Sequence, residues 1–269
     1  MSITGLPGAL DFGGKRVVVT GAASGIGAAT ADLFGDLGAD VVGLDVADGS
    51  LDLRSPEGID AAVTALAGTP IWALVNCAGV PQTAGGSTVM TVNFLGTRYL
   101  TEALVPQIAE GGAVATVASL AGQGWPDHLD PLGELLGTQT FDEGLAWVRA
   151  NVEAMDDPYF FSKEAVILWT RRRARGLRHD HGIRMSTVSP GPVDSPMMPA
   201  FREVMDENVL EWTAQQSIGR MARPDEMALP LVFLCAPGAS YVSGIDLVAD
   251  AGFSCDLDEG LVDFSGLGM

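Results

Sequence analysis

Thr20-Gly21-Ala22-Ala23-Ser24-Gly25-Ile26-Gly27 is the stretch that decides how this chain folds. Ahead of it lies Arg16-Val17-Val18-Val19, a short run rich in β-branched residues, which predicts a buried parallel strand. Behind it, Ala28-Ala29-Thr30-Ala31-Asp32-Leu33-Phe34 predicts a helix. The glycines therefore occupy a strand-to-helix turn. Gly21 permits a tight turn, Gly25 a close backbone approach, and Gly27 close packing of helix on strand. The first N–H groups of such a helix, around Ser24 and Ile26, have no intrahelical partners. They point at whatever lies above the strand end, and a pyrophosphate fits there. A plain βα turn would use the same glycines, so the context has to choose.

The context follows at once. A second strand, 40–44, ends on Asp45, 24 residues after Gly21. That is near the spacing expected of a carboxylate that accepts both ribose hydroxyls of NAD. A 2′-phosphate would meet its negative charge, and 46–48 holds no Arg or Lys. The pattern reads as NAD rather than NADP; the other reading of Asp45 is a solvated acid at a strand end.

Composition bounds the rest. The 269 residues are 47% hydrophobic, enough for one large α/β domain with a real core. A net charge of −19 repels phosphate backbones and anionic lipid, which argues against nucleic-acid and membrane partners. Cys77, Cys235 and Cys255 are odd in number and lack metal-like spacing, so reduced thiols, no metal and a cytoplasmic protein are expected. The first 14 residues have no signal-peptide pattern, and no apolar run is long enough to span a membrane. There are only two lysines, Lys15 ahead of the first strand and Lys163 in the interior of the chain.

Taken in order, the chain predicts a helix at 56–66 with Pro56 at its start, and before it Asp52 and Leu53 near an adenine. A third strand at 71–75 runs into Asn76-Cys77-Ala78-Gly79. A long helix at 90–109 follows, with Val92, Leu95, Tyr99, Leu100 and Leu104 at helical spacing and Asn93 on it. A strand at 113–117 ends at Ala118-Ser119. Residues 120–157 are too long for an ordinary connection and read as an inserted helical element, helical over 142–153. A helix at 158–178, a strand at 183–188, a helix at 225–234 and a strand at 245–249 complete the chain. The alternation gives a single-domain α/β fold, 1–269. It is a Rossmann-type doubly wound parallel sheet with helices on both faces, and a helical insertion at about 125–157 precedes the helix of Lys163. Ligands bind such sheets outside the carboxyl ends of the strands, where Gly21, Asp45, Asn76 and Ser119 all fall.

Tyr159 and Lys163 stand four apart on one predicted helix and so share a face. A neighbouring ammonium, together with a positive nicotinamide, is expected to lower the phenol from its usual ~10. Such a phenol can exchange a proton with an alcohol while hydride moves. Ser119 would hydrogen-bond the substrate oxygen, and Asn93 would hold a water behind Lys163 as a relay. Beyond Pro190-Gly191, Val193 and Ser195, the segment at about 192–216 reads either as core or as an adaptable substrate lid. Its apolar residues are Met197, Met198, Phe201, Met205 and Trp212. The run Arg171-Arg172-Arg173 reads as a solvated helix face. His128 reads as a loop residue or a substrate contact.

These residues together resemble the short-chain dehydrogenase/reductase family along nearly the whole chain. The matching elements are Thr20 to Gly27, Asp45, Asn76 to Gly79, Asn93, Ser119, Tyr159-Phe160-Phe161-Ser162-Lys163 and Pro190-Gly191. The resemblance implies Ser119, Tyr159 and Lys163 as the catalytic triad and Asn93 as its fourth member. It also implies NAD held by Gly21, Ser24, Gly25, Ile26, Gly27, Asp45, Asp52, Leu53, Asn76, Ala78, Gly79, Tyr159, Lys163, Pro190, Gly191, Val193 and Ser195. Cys77 departs from the family's usual second Asn, and Ser195 from a frequent Thr. The insertion, with Gly124-Trp125-Pro126, Glu134-Leu135-Leu136-Gly137 and Phe141-Asp142-Glu143-Gly144-Leu145-Ala146-Trp147, resembles bacterial coniferyl-alcohol dehydrogenases. More distantly it resembles bacterial 3α-hydroxysteroid dehydrogenases. It implies NAD-linked oxidation of an aromatic or allylic alcohol, or else a 3α-hydroxysteroid dehydrogenase/carbonyl reductase activity. Ser119, Trp125, Tyr159, Met197, Met198 and Phe201 would contact the small-molecule alcohol or ketone. A non-catalytic NAD(H)-binding sensor is the reading from another class. Family members often associate through the helices that bear Tyr159 and Asn93. The insertion beside them favours a homodimer over the common tetramer.

Overall fold

A computed structural model gives the structure of the chain; it describes residues 8–204 and 207–263, the side chains of 207 and 208 excepted. Its strands are β1 Arg16–Thr20, β2 Asp40–Leu44, β3 Ile71–Asn76, β4 Ile108–Val117, β5 Arg184–Pro190 and β6 Asp246–Ala249. They form one parallel sheet in the order β2-β1-β3-β4-β5-β6. Val18 pairs with Val42 on one side and Leu74 on the other. Along β1 the side chains alternate between two cores. Val17 and Val19 join Phe12, Phe34 and Leu231 under α1 (Gly25–Asp36) and α10 (Pro224–Cys235). Val18 joins Ile59, Leu100 and Val166 under α2 (Pro56–Ala65), α4 (Thr97–Leu104) and α7 (Pro158–Gly176). A strand buried on both faces has no polar side, which is why Val17, Val18 and Val19 form a continuous apolar run in the sequence. Each fully buried Val, Leu or Phe contributes roughly 1.5–3 kcal/mol to the two cores. The strand order turns back between β1 and β3, and that places a crevice at their carboxyl ends.

The expected helix at 90–109 is corrected at both ends. The helical run starts earlier, as α3 (Gly86–Met90), passes through a π-helical stretch, Thr91–Gly96, and continues as α4. It ends at Leu104, because Pro106 has no N–H to continue the ladder and Val105–Gln107 tightens into a 3₁₀ turn. Ile108 then belongs to β4, opposite Ile71. The helix expected at 158–178 stops as a regular α-helix at Gly176 and loosens into a π turn, Leu177–His181, ended by Gly182 at φ 68.

Residues 125–157 fold as a 3₁₀ turn (Trp125–His128), α5 (Leu129–Gly137), α6 (Phe141–Asn151) and a short turn before α7. α6 begins at Phe141, one residue before expectation. Thr140 and Glu143 cap it reciprocally: Thr140 Oγ1 accepts from the Glu143 N–H at 3.1 Å and the Glu143 carboxylate accepts from the Thr140 N–H at 3.3 Å. The insertion lies against α4 and α7. Trp147 stacks on Phe161 at 5.9 Å, Tyr99 meets Phe141 edge-on at 5.8 Å, and Arg98 donates to Thr138 Oγ1 at 2.9 Å. Between β5 and α10 lie α8 (Met198–Val204) and α9 (Glu207–Gln216). The chain leaves for these helices and returns at one point, a parallel bridge between Val193 and Ala222. α11 (Phe253–Asp258) follows the sheet's last strand. Among the described residues no helix is long and apolar enough to cross a membrane, and no group of three metal-binding side chains occurs.

Candidate active site

One cavity of about 760 Å³ lies over the carboxyl ends of the strands. Its first half is built by the turn after β1. Thr20 ends that strand, and its hydroxyl accepts from the Cys77 and Ala78 N–H groups at 3.2 and 3.1 Å, tying the end of β1 to the chain leaving β3. Gly21 then turns at φ 68, where a Cβ would lie 2.8 Å from the Ala78 backbone. Gly27 admits no side chain either: a Cβ there would fall 2.1 Å from the Gly21 carbonyl oxygen. The turn and helix are thus packed backbone against backbone. Ser24 is the N-cap residue of α1, yet its side chain makes no capping bond, and no acid sits in the first turn. The helix N-terminus keeps its donors for an anion.

At the end of β2, Asp45 is held rigidly. Its carboxylate accepts from the Ala23 N–H at 3.0 Å and the Ala47 N–H at 2.9 Å, which aims it across the cavity. Asp52 lines the cavity too, but Arg54 grips it through two bonds of 2.9 and 2.8 Å and holds the carboxyl below its usual range. Arg54 also lines the cavity, a cation nine residues beyond Asp45 and outside 46–48. A glycine cradle, an uncapped helix end and a fixed carboxylate are a donor and acceptor set that fits the phosphates and ribose of a nicotinamide dinucleotide.

The second half centres on α7. Asp157 caps this helix, accepting from the Tyr159 and Phe160 N–H groups at 2.7 and 3.3 Å, with Pro158 at the first helical position. Tyr159 and Lys163 are 8% and 6% exposed, so both point inward. Ser119 lies two residues past the end of β4 and caps a short turn, accepting from the Ala121 N–H at 3.2 Å. That turn sits directly on α7. At Gly122 a Cβ would lie 2.8 Å from the Lys163 carbonyl carbon and 2.7 Å from Ile167 Cδ1. The Ser119 hydroxyl is near enough to the Tyr159 phenol to favour its ionised form. Lys163 Nζ donates to the Val117 carbonyl at 3.1 Å and stands 5.6 Å from the Tyr159 ring centroid.

The protein's own groups do not lower the phenol, and the expected lowering draws also on the charge of a bound nicotinamide. Burial pushes Tyr159 up to about 12, against the pull of Ser119, and brings Lys163 down to about 8. The ammonium faces the ring and the Val117 carbonyl, so the protein's own charge does not offset desolvation.

Ser119, Tyr159 and Lys163 share the cavity with Gly21, Ser24, Gly25, Ile26, Gly27, Asp45, Asp52 and Leu53, and with Ala78, Gly79, Pro190, Gly191, Val193 and Ser195. Met197, Met198 and Phe201 line its outer part, and Phe201 meets Tyr159 edge-on at 5.2 Å. Of the other apolar residues expected there, Trp212 lies behind the wall, and Met205 lies outside the described residues.

Asn76, Asn93 and Trp125 do not line the cavity. Asn76 donates to Thr101 and Thr116 at 3.0 and 3.1 Å beneath it. The Asn93 side chain clasps the Val80 backbone, accepting from its N–H at 2.8 Å and donating to its carbonyl at 3.0 Å. Trp125 packs under the Arg171 guanidinium, and Arg173 pairs with Glu102. His128 bonds the buried Glu164 carboxylate at 2.8 Å and lies off the cavity wall. Cys77 lines the cavity as a thiol that burial pushes up to about 12. Wall residues that the sequence does not announce include Arg54, Phe160, Leu210, Thr213 and Phe253. Phe160 is one residue past Tyr159 and so off its helix face, where periodicity gives no signal. The others arrive through loops and distant helices.

Known proteins share this architecture. Residues 145–254 match the family model described as enoyl-(acyl carrier protein) reductase. The chain is 38% identical over 248 residues to coniferyl-alcohol dehydrogenase of Pseudomonas sp. (strain HR199 / DSM 7063), covering 89% of this chain and 96% of that one. It is 33% identical over 251 residues to 3-alpha-hydroxysteroid dehydrogenase/carbonyl reductase of Comamonas testosteroni, covering 88% and 95%. The crystal structure of 3-alpha-hydroxysteroid dehydrogenase from Pseudomonas sp. B-0831 complexed with NADH superposes with a TM-score of 0.78 at 30% identity, covering 91% of this chain and 99% of that one. The glycine cradle, the sheet order and these likenesses make the chain a member of the short-chain dehydrogenase/reductase family of nicotinamide-dependent oxidoreductases, similar within it to the bacterial coniferyl-alcohol and 3α-hydroxysteroid dehydrogenases.

Proposed function

We propose that the protein is an NAD-dependent alcohol dehydrogenase acting on an aromatic or allylic alcohol of the coniferyl-alcohol kind, with Tyr159 as its proton carrier. One observation carries the reading. A single cavity joins the Asp45 carboxylate and the glycine cradle to Ser119, Tyr159 and Lys163, under an aromatic and thioether wall. NAD supplies the hydride acceptor when bound. The Asp45 carboxylate suits free ribose hydroxyls and repels a 2′-phosphate. Ser119 accepts from Ala121 and keeps its own proton to give. An alcohol oxygen between Ser119 and Tyr159 would be oriented by the first and deprotonated by the second. Lys163 holds positive charge near the phenol as it ionises. With the Asn93 side chain committed to Val80, its part in a relay rests on its backbone carbonyl in the π-helical stretch.

The likeness to 3α-hydroxysteroid dehydrogenases favours a second reading, a bulky cyclic secondary alcohol or its ketone, and the flexible Met197 and Met198 would adapt to either. A non-catalytic sensor has no use for the Ser119–Tyr159–Lys163 set. An NADH-fluorescence screen of cinnamyl-type alcohols against hydroxysteroids separates the readings. Turnover of the first and not the second is expected. Tight NADH binding with turnover of neither would overturn the dehydrogenase reading and favour the sensor. The insertion covers α4 and α7, which supports a dimer; a tetramer by light scattering would contradict that.

A further inference from the structure

We infer that Phe253 is a specificity-determining wall of the substrate end of the cavity. Trp212 and the chain at 261–263 hold it in place, so that the site selects an alcohol carried on a flat apolar ring. The inference rests on the dehydrogenase reading and names what the outer wall selects.

The chain reverses abruptly after β6. Asp250 is 9% exposed and its two carboxylate oxygens accept from the Gly252 and Ser254 N–H groups at 2.9 and 2.8 Å. The Gly191 N–H donates to the Ala249 carbonyl at 3.1 Å, fastening the turn to the end of β5. Ala251 between them sits at φ 57, the one non-glycine residue with positive φ among the described residues, and Gly252 follows at φ 92. A residue persists in that region only where its surroundings over-determine it, and such positions cluster at ligand clamps. Here the reversal makes Phe253 the first residue of α11 and turns its ring onto the cavity.

A second set of contacts backs that ring. Trp212 meets Phe253 edge-on at 5.7 Å with planes at 89°. Its indole N–H donates to the Asp263 carbonyl at 2.8 Å, while the Asp263 N–H donates to Gln216 Oε1 at 3.2 Å. Val262, just before the residue that makes both bonds, is 8% exposed. Positions 212 and 216 are one helical turn apart, so Asp263 clasps α9 along one face. The same helix contributes Leu210 and Thr213 to the cavity. On the Tyr159 side the wall is again aromatic, with Phe160 and the edge-on Phe201. A flat ring can use its face or edge against each of these, and each such pair is worth about two- to tenfold in affinity. A small alcohol uses none of them. Phe253 would touch the substrate, and Trp212 acts through it as a positioning residue.

The test titrates cinnamyl alcohol by calorimetry into the full chain with NADH present. The proteins are wild type, Phe253→Ala, Phe253→Leu and Trp212→Phe, with turnover of a small secondary alcohol measured alongside. Phe253→Ala is expected to weaken cinnamyl alcohol at least tenfold, a loss at least about fivefold larger than any fall in the small alcohol's kcat/KM. Phe253→Leu falls between. Trp212→Phe keeps a ring but drops the bond to Asp263, and about a threefold rise in KM with kcat unchanged is expected. Cinnamyl alcohol bound equally by wild type and Phe253→Leu would overturn the inference, whether or not the alanine variant folds. So would equal losses for both alcohols, or a wild type that binds NADH and not cinnamyl alcohol. Ring-alcohol binding that falls in Phe253→Leu, with no turnover of any alcohol by wild type, would instead uphold this wall and remove the proposed reaction.

Discussion

Asp45→Ala tests cofactor choice where the structure is most explicit. The carboxylate is fixed by two backbone donors, from Ala23 and Ala47, at 3.0 and 2.9 Å. Both bonds lie at the exposed strand end, so water replaces them in the variant and the cost in stability stays near 1 kcal/mol. The effect on binding is larger. A pair of ribose hydroxyls donating to an ionised carboxylate makes charge-assisted bonds worth roughly 1.5–3 kcal/mol each. Some of this returns as bonds to water, so a net loss of about 2–3 kcal/mol, or 30- to 150-fold in NADH affinity, is expected. NADPH moves the other way. Removing the charge removes repulsion of the 2′-phosphate, and Arg54 is already on the same cavity wall. The NADH/NADPH preference should therefore fall by at least two orders of magnitude (about 3 kcal/mol). Fluorescence titration of both reduced cofactors against wild type and variant reads it directly. A preference unchanged within about twofold would refute the assignment of this carboxylate to the ribose.

Three further outcomes follow from the same geometry. Gly122→Ala pushes a Cβ to 2.8 Å from the Lys163 carbonyl carbon, so the turn of Ser119 must lift off α7; about 1–3 kcal/mol of stability and most of kcat should go, and normal kcat in urea-stable protein would contradict this. Asp157→Ala removes the cap on the first turn of α7, and a drop of about 1 kcal/mol, or 2–4 °C in Tm, is expected by calorimetry. Lys163→Met should be more stable than wild type near neutral pH. Burial lowers the folded-state lysine from 10.5 to about 8, so below about 8 wild type carries the full cost, of order 3 kcal/mol. Between about 8 and 10.5 the unfolded chain binds more protons, wild-type stability rises, and the advantage of the variant shrinks. Urea melts at neutral and alkaline pH check the sign, and a methionine variant weaker at both would refute it.

Much of this was legible in the sequence because local chemistry and tertiary role coincided. β1 and β3 hold continuous apolar runs because inner parallel strands are covered on both faces. Gly21 and Gly27 are forced by backbone contacts of 2.8 and 2.1 Å, and such glycines mark themselves. Tyr159 and Lys163 share a helix face through simple periodicity. What the sequence did not yield depended on distant parts of the chain. Arg54 reaches the cavity from the loop before α2, and Phe253 from a reversal after the last strand. The end of α4 was drawn too late because apolar spacing continued through Pro106, where the missing N–H outweighs it. Asn93 and Asn76 fall at the right sequence positions but turn their side chains to Val80, and to Thr101 and Thr116. Burial, invisible in one dimension, pushes the phenol up in the protein alone, so the expected lowering depends on the cofactor's charge.

Single-turnover kinetics of Tyr159→Phe reads the phenol most directly. The change removes one oxygen from a ring that stays packed edge-on against Phe201, so the fold and the glycine cradle are untouched. Hydride transfer from an oxidisable alcohol should slow by about 10²–10⁴-fold, roughly 3–5 kcal/mol, with NADH affinity unchanged within about twofold. A variant that transfers hydride within about tenfold of the wild-type rate would mean that the proton leaves by another route and that Tyr159 is not its carrier.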